Sequence, residues 1–108
     1  MNLTSDKRAH FAPGQLVRHK LFNYRGVVVD VDADFQGTEE WYDAVALSRP
    51  PKDQPWYHVL VDSSNRETYV AERNLEVDQF GTPIQHPHVP VYFETFEDGC
   101  YVLHDRKH

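Results

Sequence analysis

Val27-Val28-Val29-Asp30-Val31-Asp32 is the stretch that decides the fold class. Its valines are β-branched and favour a pleated, extended backbone. From Val29 onward apolar and acidic side chains alternate, so a strand here would set one face against a core and the other in water. Gly26, just ahead, would permit a bend or bulge where the strand begins. Upstream, Pro13-Gly14 is a turn signal. Gln15 to Lys20 then reads as a first strand, with Leu16, Arg18 and Lys20 on one face and Val17 and His19 on the other, and Leu21 to Tyr24 as a short connection.

Downstream of the valine run the strand pattern stops between Ala33 and Pro55, and a connection of this length in a small β domain is a candidate for function. Thr38 can cap a short helix whose first turn carries Glu39 and Glu40, where carboxylates meet the positive helix end. Arg49 to Pro55 holds three prolines in seven residues and must be a loop. Trp56 to Asp62 and Glu67 to Ala71 read as a hairpin around the polar turn Ser63 to Arg66. Arg73 to Val77 fits a short closing strand or 3₁₀ turn. Tyr92, Phe93 and Phe96 ahead of Asp98-Gly99 suggest a short helix stopped by Gly99, with Cys100 to Leu103 as a last strand. The fold expected is therefore mostly β: a small, partly open SH3-like barrel with a short helix in the long connection. Its organisation would be one domain, with a mobile arm over residues 1–10 and a C-terminal extension from about residue 78.

Composition narrows the class. With 40% hydrophobic and 26% charged residues the 108-residue chain has the makeup of a folded domain with its own core. The single cysteine excludes an internal disulfide, no apolar run is long enough to span a bilayer, and the N-terminus lacks the apolar core of a secretory signal, so a cytoplasmic location is expected. The net charge of −6 is unevenly spread. Residues 1–25 hold Lys7, Arg8, Arg18, Lys20 and Arg25 against Asp6 alone, while sixteen of the seventeen acidic residues lie beyond them. A phosphate-binding face, if present, must come from that first quarter.

Catalytic and metal readings find little support. Asp30, Asp32 and Asp34 are spaced by two, but Phe35 and Trp41 stand where a calcium-binding EF-hand loop needs Gly and Glu, so a solvated strand face is the better reading. His86, His88, His104 and Cys100 are close in sequence without a zinc-ligand spacing, and Cys100 reads as a packed apolar residue. No metal, cofactor or catalytic residue is expected. Binding is the function class that remains, with Arg18, His19, Lys20, Tyr24, Arg25, Trp41 and Tyr42 as candidate contacts to DNA or another partner: cations for phosphates or acidic peptides, rings for stacking or anchoring.

Four separated blocks carry a resemblance: Gly14-Gln15-Leu16-Val17-Arg18-His19, Tyr24-Arg25-Gly26-Val27-Val28-Val29-Asp30-Val31-Asp32, Pro55-Trp56-Tyr57-His58-Val59-Leu60-Val61 and Tyr69-Val70-Ala71-Glu72-Arg73-Asn74-Leu75. In this order and spacing the chain resembles the HspQ family, also called YccV-like or hemimethylated-DNA-binding proteins, from Phe11 to Leu75. The resemblance implies an SH3-like barrel that self-associates as a trimer. It also implies two roles: binding of hemimethylated DNA, and a heat-shock function as an enhancer of substrate degradation by the Lon protease. Neither needs catalysis by this chain, and no functional residue set comes with the family. A protein–peptide interaction barrel with no DNA role is the alternative.

Overall fold

A computed structural model of the chain describes residues 9–104. Among these the elements are β1 (Leu16–His19), β2 (Arg25–Asp32), α1 (Glu39–Val45), β3 (Trp56–Val61), β4 (Glu67–Ala71), a 3₁₀ turn (Glu72–Asn74), β5 (Leu75–Val77), α2 (Val89–Tyr92), β6 (Phe93–Glu97) and β7 (Cys100–Leu103). Strands β1 to β5 form one antiparallel sheet in the order β4-β3-β2-β1-β5, and β6 and β7 form a separate hairpin. The larger sheet is not closed: β4 and β5, consecutive in the chain, are its two edges. The fold is mostly β, compatible with a partly open barrel. Most of the expected mobile arm lies outside the described residues; within them, the His10 amide already donates to the Tyr57 hydroxyl at 3.0 Å.

The valine run behaves differently from a simple half-buried strand, because Val27, Val28 and Val29 are all buried. The pairing with β3 explains this. Val28 lies opposite Val59 and Asp30 opposite His58, so Val29 is an extra residue that shifts the register. That bulge changes the phase of every side chain after it. Val27 and Val29 join Leu16 and Leu60 on one face, whereas Val31 crosses to the other face beside Val28, Tyr57 and Val59. The bulge sits at Val29 and not at Gly26, which is a regular ladder partner of Val61. Glycine is needed at 26 because a Cβ there would lie 2.5 Å from both the Leu60 carbonyl oxygen and a Val59 methyl.

Three packed clusters follow from this phase. Val17, Val28, Tyr57, Val59, Val70 and Leu75 pack on one side of the sheet. At one end of its other side, Tyr42, Trp56 and Ala71 are covered by Phe35, Trp41 and Tyr69 from the long connection and β4. Helix α1 begins as expected, with the Thr38 hydroxyl accepting from the Trp41 amide at 3.1 Å. Across the rest of that side, Leu16, Val27, Val29 and Leu60 are covered by Ile84, Phe93 and Tyr101. The C-terminal extension is thus a lid on the sheet.

Two expectations for that lid are corrected. Phe93 and Phe96 belong to a strand: α2 is a single turn ending at Tyr92, and Asp98-Gly99 is the tip of the β6–β7 hairpin, both residues with positive φ (53° and 83°) as such a turn requires. Cys100 is exposed beside that tip and is not a packed core residue. The lid docks on Gly14, whose carbonyl accepts from the Tyr101 amide at 2.8 Å and whose own amide donates to Val28. With φ of +96° and the Tyr101 carbonyl where a Cβ would stand, position 14 admits only glycine without rearrangement.

Candidate binding faces

The β1–β2 turn carries most of the sequence candidates, and a buried imidazole fixes it. His19 is buried at the end of β1, and its Nδ1 accepts the amide protons of Leu21 and Phe22, both at 3.1 Å. Two donors aimed at Nδ1 require the neutral ring with its proton on Nε2. Burial holds the His19 pKa below its ordinary value and so favours that form. The Phe22 ring stacks on His19 at 4.7 Å, and the Tyr24 ring lies at 5.1 Å from it. Tyr24 closes the turn with a 2.6 Å bond between its hydroxyl and that of Thr68. Burial raises its pKa, so it remains a neutral phenol.

The cations of this segment separate. Lys20 is exposed. Arg18 is partly exposed, donating to the Asn23 side chain and lying 3.6 Å from Glu76. Arg25 is held inside the fold by both oxygens of Asp78 at 3.1 and 3.2 Å, by Asp62 at 3.4 Å and by the Thr82 carbonyl at 2.5 Å. Its charge is spent on anchoring the segment after β5. The turn therefore presents Arg18 and Lys20 beside two exposed apolar side chains, Leu21 and Phe22, which are 57% and 73% exposed.

Trp41 and Tyr42, adjacent in α1, are divided in the same way. Tyr42 is buried, donates its hydroxyl proton to the Pro50 carbonyl at 2.7 Å and lies beneath Arg49 and Lys52. Trp41 is half-buried in an aromatic group with Phe35, Trp56 and Tyr69. It forms part of the wall of a groove of about 960 Å³ that follows β4. One rim is Leu21 and Phe22 from the β1–β2 turn, the other Val45 and Leu47 from the end of α1. Both faces of β4 contribute to the floor, through Thr68 and Val70 on one side and Glu67 and Tyr69 on the other. His19, Tyr24 and Trp41 are thus brought together, while Arg18, Lys20, Arg25 and Tyr42 do not line the groove. Sequence reasoning missed Leu21, Phe22, Val45 and Leu47. Their signal was weak, since Leu21-Phe22 and Val45-Ala46-Leu47 are short apolar stretches that suit a packed turn or helix end equally well.

Among the described residues the side chains that come close enough to share an ion are Asp30, Asp32 and His58, with ligand atoms within 4.8 Å of one another. They are already engaged. His58 lies between Asp32 at 3.2 Å and Glu67 at 3.7 Å, and Asp32 also accepts the Tyr69 hydroxyl at 2.6 Å. Burial, then the Asp32 bond, pushes the Tyr69 pKa well above that of a free phenol. The arrangement is a cross-strand hydrogen-bond network on the sheet face. His86 and His104 each bond a backbone carbonyl, of Arg66 and Pro90 respectively, and neither joins that group.

A comparison with protein-family models matches residues 9–100 to the family described as hemimethylated DNA-binding protein, YccV-like. The match takes in β1 through β6 and the hairpin tip, so it extends the resemblance seen from Phe11 to Leu75 into the C-terminal lid as far as Cys100. No helix of the described residues is long and apolar enough to cross a membrane. The chain belongs to the YccV-like family of hemimethylated DNA-binding proteins.

Proposed function

We propose that this chain is a non-catalytic recognition module that binds hemimethylated duplex DNA through its β1–β2 turn. The observation that carries the reading is the exposed Phe22 ring, held by His19 on a turn that also presents Arg18 and Lys20. Arg18 and Lys20 supply phosphate contacts that set position. Phe22 supplies an apolar surface for the methyl group on a modified adenine, as apolar side chains do for the thymine methyl in the major groove. Asn23, whose side-chain oxygen is engaged by Arg18, keeps amide protons for a base edge.

The acidic remainder of the chain keeps binding weak unless copies assemble, and the trimer implied by the family resemblance would multiply the turn. Two cations per copy predict a salt slope of about −2 for a single copy. A mobility shift with unmethylated, hemimethylated and fully methylated duplexes over a salt series tests the reading. The hemimethylated duplex should be retained best, Phe22→Ala should remove the preference, and Arg18→Ala or Lys20→Ala should each lower the slope by about 1. Equal retention of all three duplexes would overturn it.

The groove favours a second reading, an adaptor that presents or receives protein segments beside a Lon-type protease. In a reconstituted degradation assay, addition of the chain should speed loss of a client, and an unchanged rate counts against it.

A further inference from the structure

We propose that the groove along β4 receives an extended segment of another polypeptide as an added strand, with apolar side chains at alternate positions and a basic residue directed at Glu67. This site rests on the adaptor reading, to which it would give a docking surface, and it shares Phe22 of its turn-side rim with the DNA reading.

The backbone supplies the first argument. Val61 donates to Arg66 and Glu72 donates to Pro55, each at 3.0 Å, which marks these as hydrogen-bonded pairs of the β3–β4 ladder. Antiparallel pairs alternate, so Thr68 and Val70 turn their amides and carbonyls toward β3, whereas those of Glu67 and Tyr69 point to the open side. Among the described residues, no backbone or side-chain group outside the strand bonds the Glu67 or Tyr69 main chain. An unpaired edge of this kind is a template for another strand.

The side chains supply the second. Leu21, Phe22, Val45 and Leu47 are exposed by 55–78%, and all four line this one groove. Clustered exposed apolar residues mark an interaction surface where scattered ones do not. Edge and charge together choose the occupant. The Glu67 carboxylate is exposed, with His58 at 3.7 Å and Asp32 beyond it, while the one arginine lining the groove, Arg66, acts on the Tyr24 side. A nucleic acid offers no ladder of amides and carbonyls to the edge and would bring phosphates to these carboxylates. A strand of alternating apolar residues ending in lysine or arginine satisfies edge, rims and charge together.

The test uses the full chain and a labelled peptide of about ten residues alternating valine and threonine with lysine at both ends, long enough to cover β4. Peptide addition should slow amide exchange at Glu67 and Tyr69, whose amides lie on the open side. A peptide with proline in place of threonine, lacking alternate donors, should bind weaker by about tenfold or more, and so should the lysine peptide to Leu47→Asp. Leu47→Asp should keep the wild-type unfolding curve and DNA shift, so loss at the groove is separable from misfolding and from the turn. Equal binding of the proline peptide, or no binding of the lysine peptide, overturns the proposal. So does concentration-dependent protection of Glu67 and Tyr69 without peptide, which would assign the groove to a second copy.

Discussion

Arg25 and Asp78, 53 residues apart in sequence, form a two-point pair in which Arg25 Nε and Nη2 each donate to a different oxygen of a carboxylate with no solvent exposure. The pair joins the start of β2 to the chain just after β5. Removing one partner leaves the other desolvated, which costs far more than a surface pair contributes. Asp78→Ala should therefore lower stability by about 3–5 kcal/mol in urea unfolding. Arg25→Gln should destabilise the fold as well yet leave the salt slope of DNA retention unchanged, because this guanidinium already has its acceptors. A slope that falls with Arg25→Gln would return the residue to the DNA face.

The β1–β2 turn should loosen in mild acid. His19 is held below its ordinary pKa of 6.5 by burial, so in the unfolded chain it gains a proton at higher pH than in the folded one. Its contribution to stability is complete above 6.5 and is lost as the pH falls from there toward the lowered folded value. Protonation at Nδ1 also removes the acceptor that holds the Leu21 and Phe22 amides. The protection of those two amides, measured relative to the intrinsic exchange rate at each pH, should fall below 6.5, and His19→Asn, which keeps an acceptor without titrating, should flatten that response. An unchanged pH profile in the variant would show that another group governs the turn.

Gly26 tests the central register. A Cβ here meets the Leu60 carbonyl and a Val59 methyl, backbone and packed core that cannot swing aside. Gly26→Ala should destabilise by about 1–3 kcal/mol through overpacking. Gly81→Ala serves as the contrast, since nothing lies within 4 Å of its Cβ position and only its positive φ of 68° resists. Were Gly26→Ala neutral in thermal unfolding, the β2–β3 register would be wrong.

Local signals carried the sequence reading furthest. The Thr38 cap, the proline loop and strands β3 and β4 are each decided within a few residues, and each stands in the structure close to its expected bounds. The Val29 bulge was not legible, because valine at 29 suits either face of the sheet and only pairing with β3 decides between them. Phe93 and Phe96 fit a helix by spacing, while Asp98-Gly99 fits both a helix stop and a hairpin tip. Phe93-Glu94-Thr95-Phe96 does not alternate, and only the register shift between Phe93 and Thr95 lets a strand turn both rings to one cluster. The candidate site was half legible. His19, Tyr24 and Trp41 meet in one groove, but the fate of Arg25 depends on an aspartate far along the chain, and an open β4 edge is a property of sheet order that no single residue announces.

The C-terminal hairpin should unfold with the sheet and not before it. Phe93 and Tyr101 are buried on Leu16, Val27 and Leu60, three residues that would face water if the hairpin left. Phe93→Ala should thus cost about 3–5 kcal/mol of global stability, as truncation of a buried ring does. Gly99→Ala disturbs only the hairpin tip, where φ is +83° and no atom crowds the Cβ, so its cost should be about 1–2 kcal/mol. Both variants should keep a single unfolding transition by fluorescence and far-ultraviolet circular dichroism. Should Phe93→Ala instead produce an early, separate transition while the main midpoint holds, the hairpin would be an appendage, and the valine face beneath it would be stable without a lid.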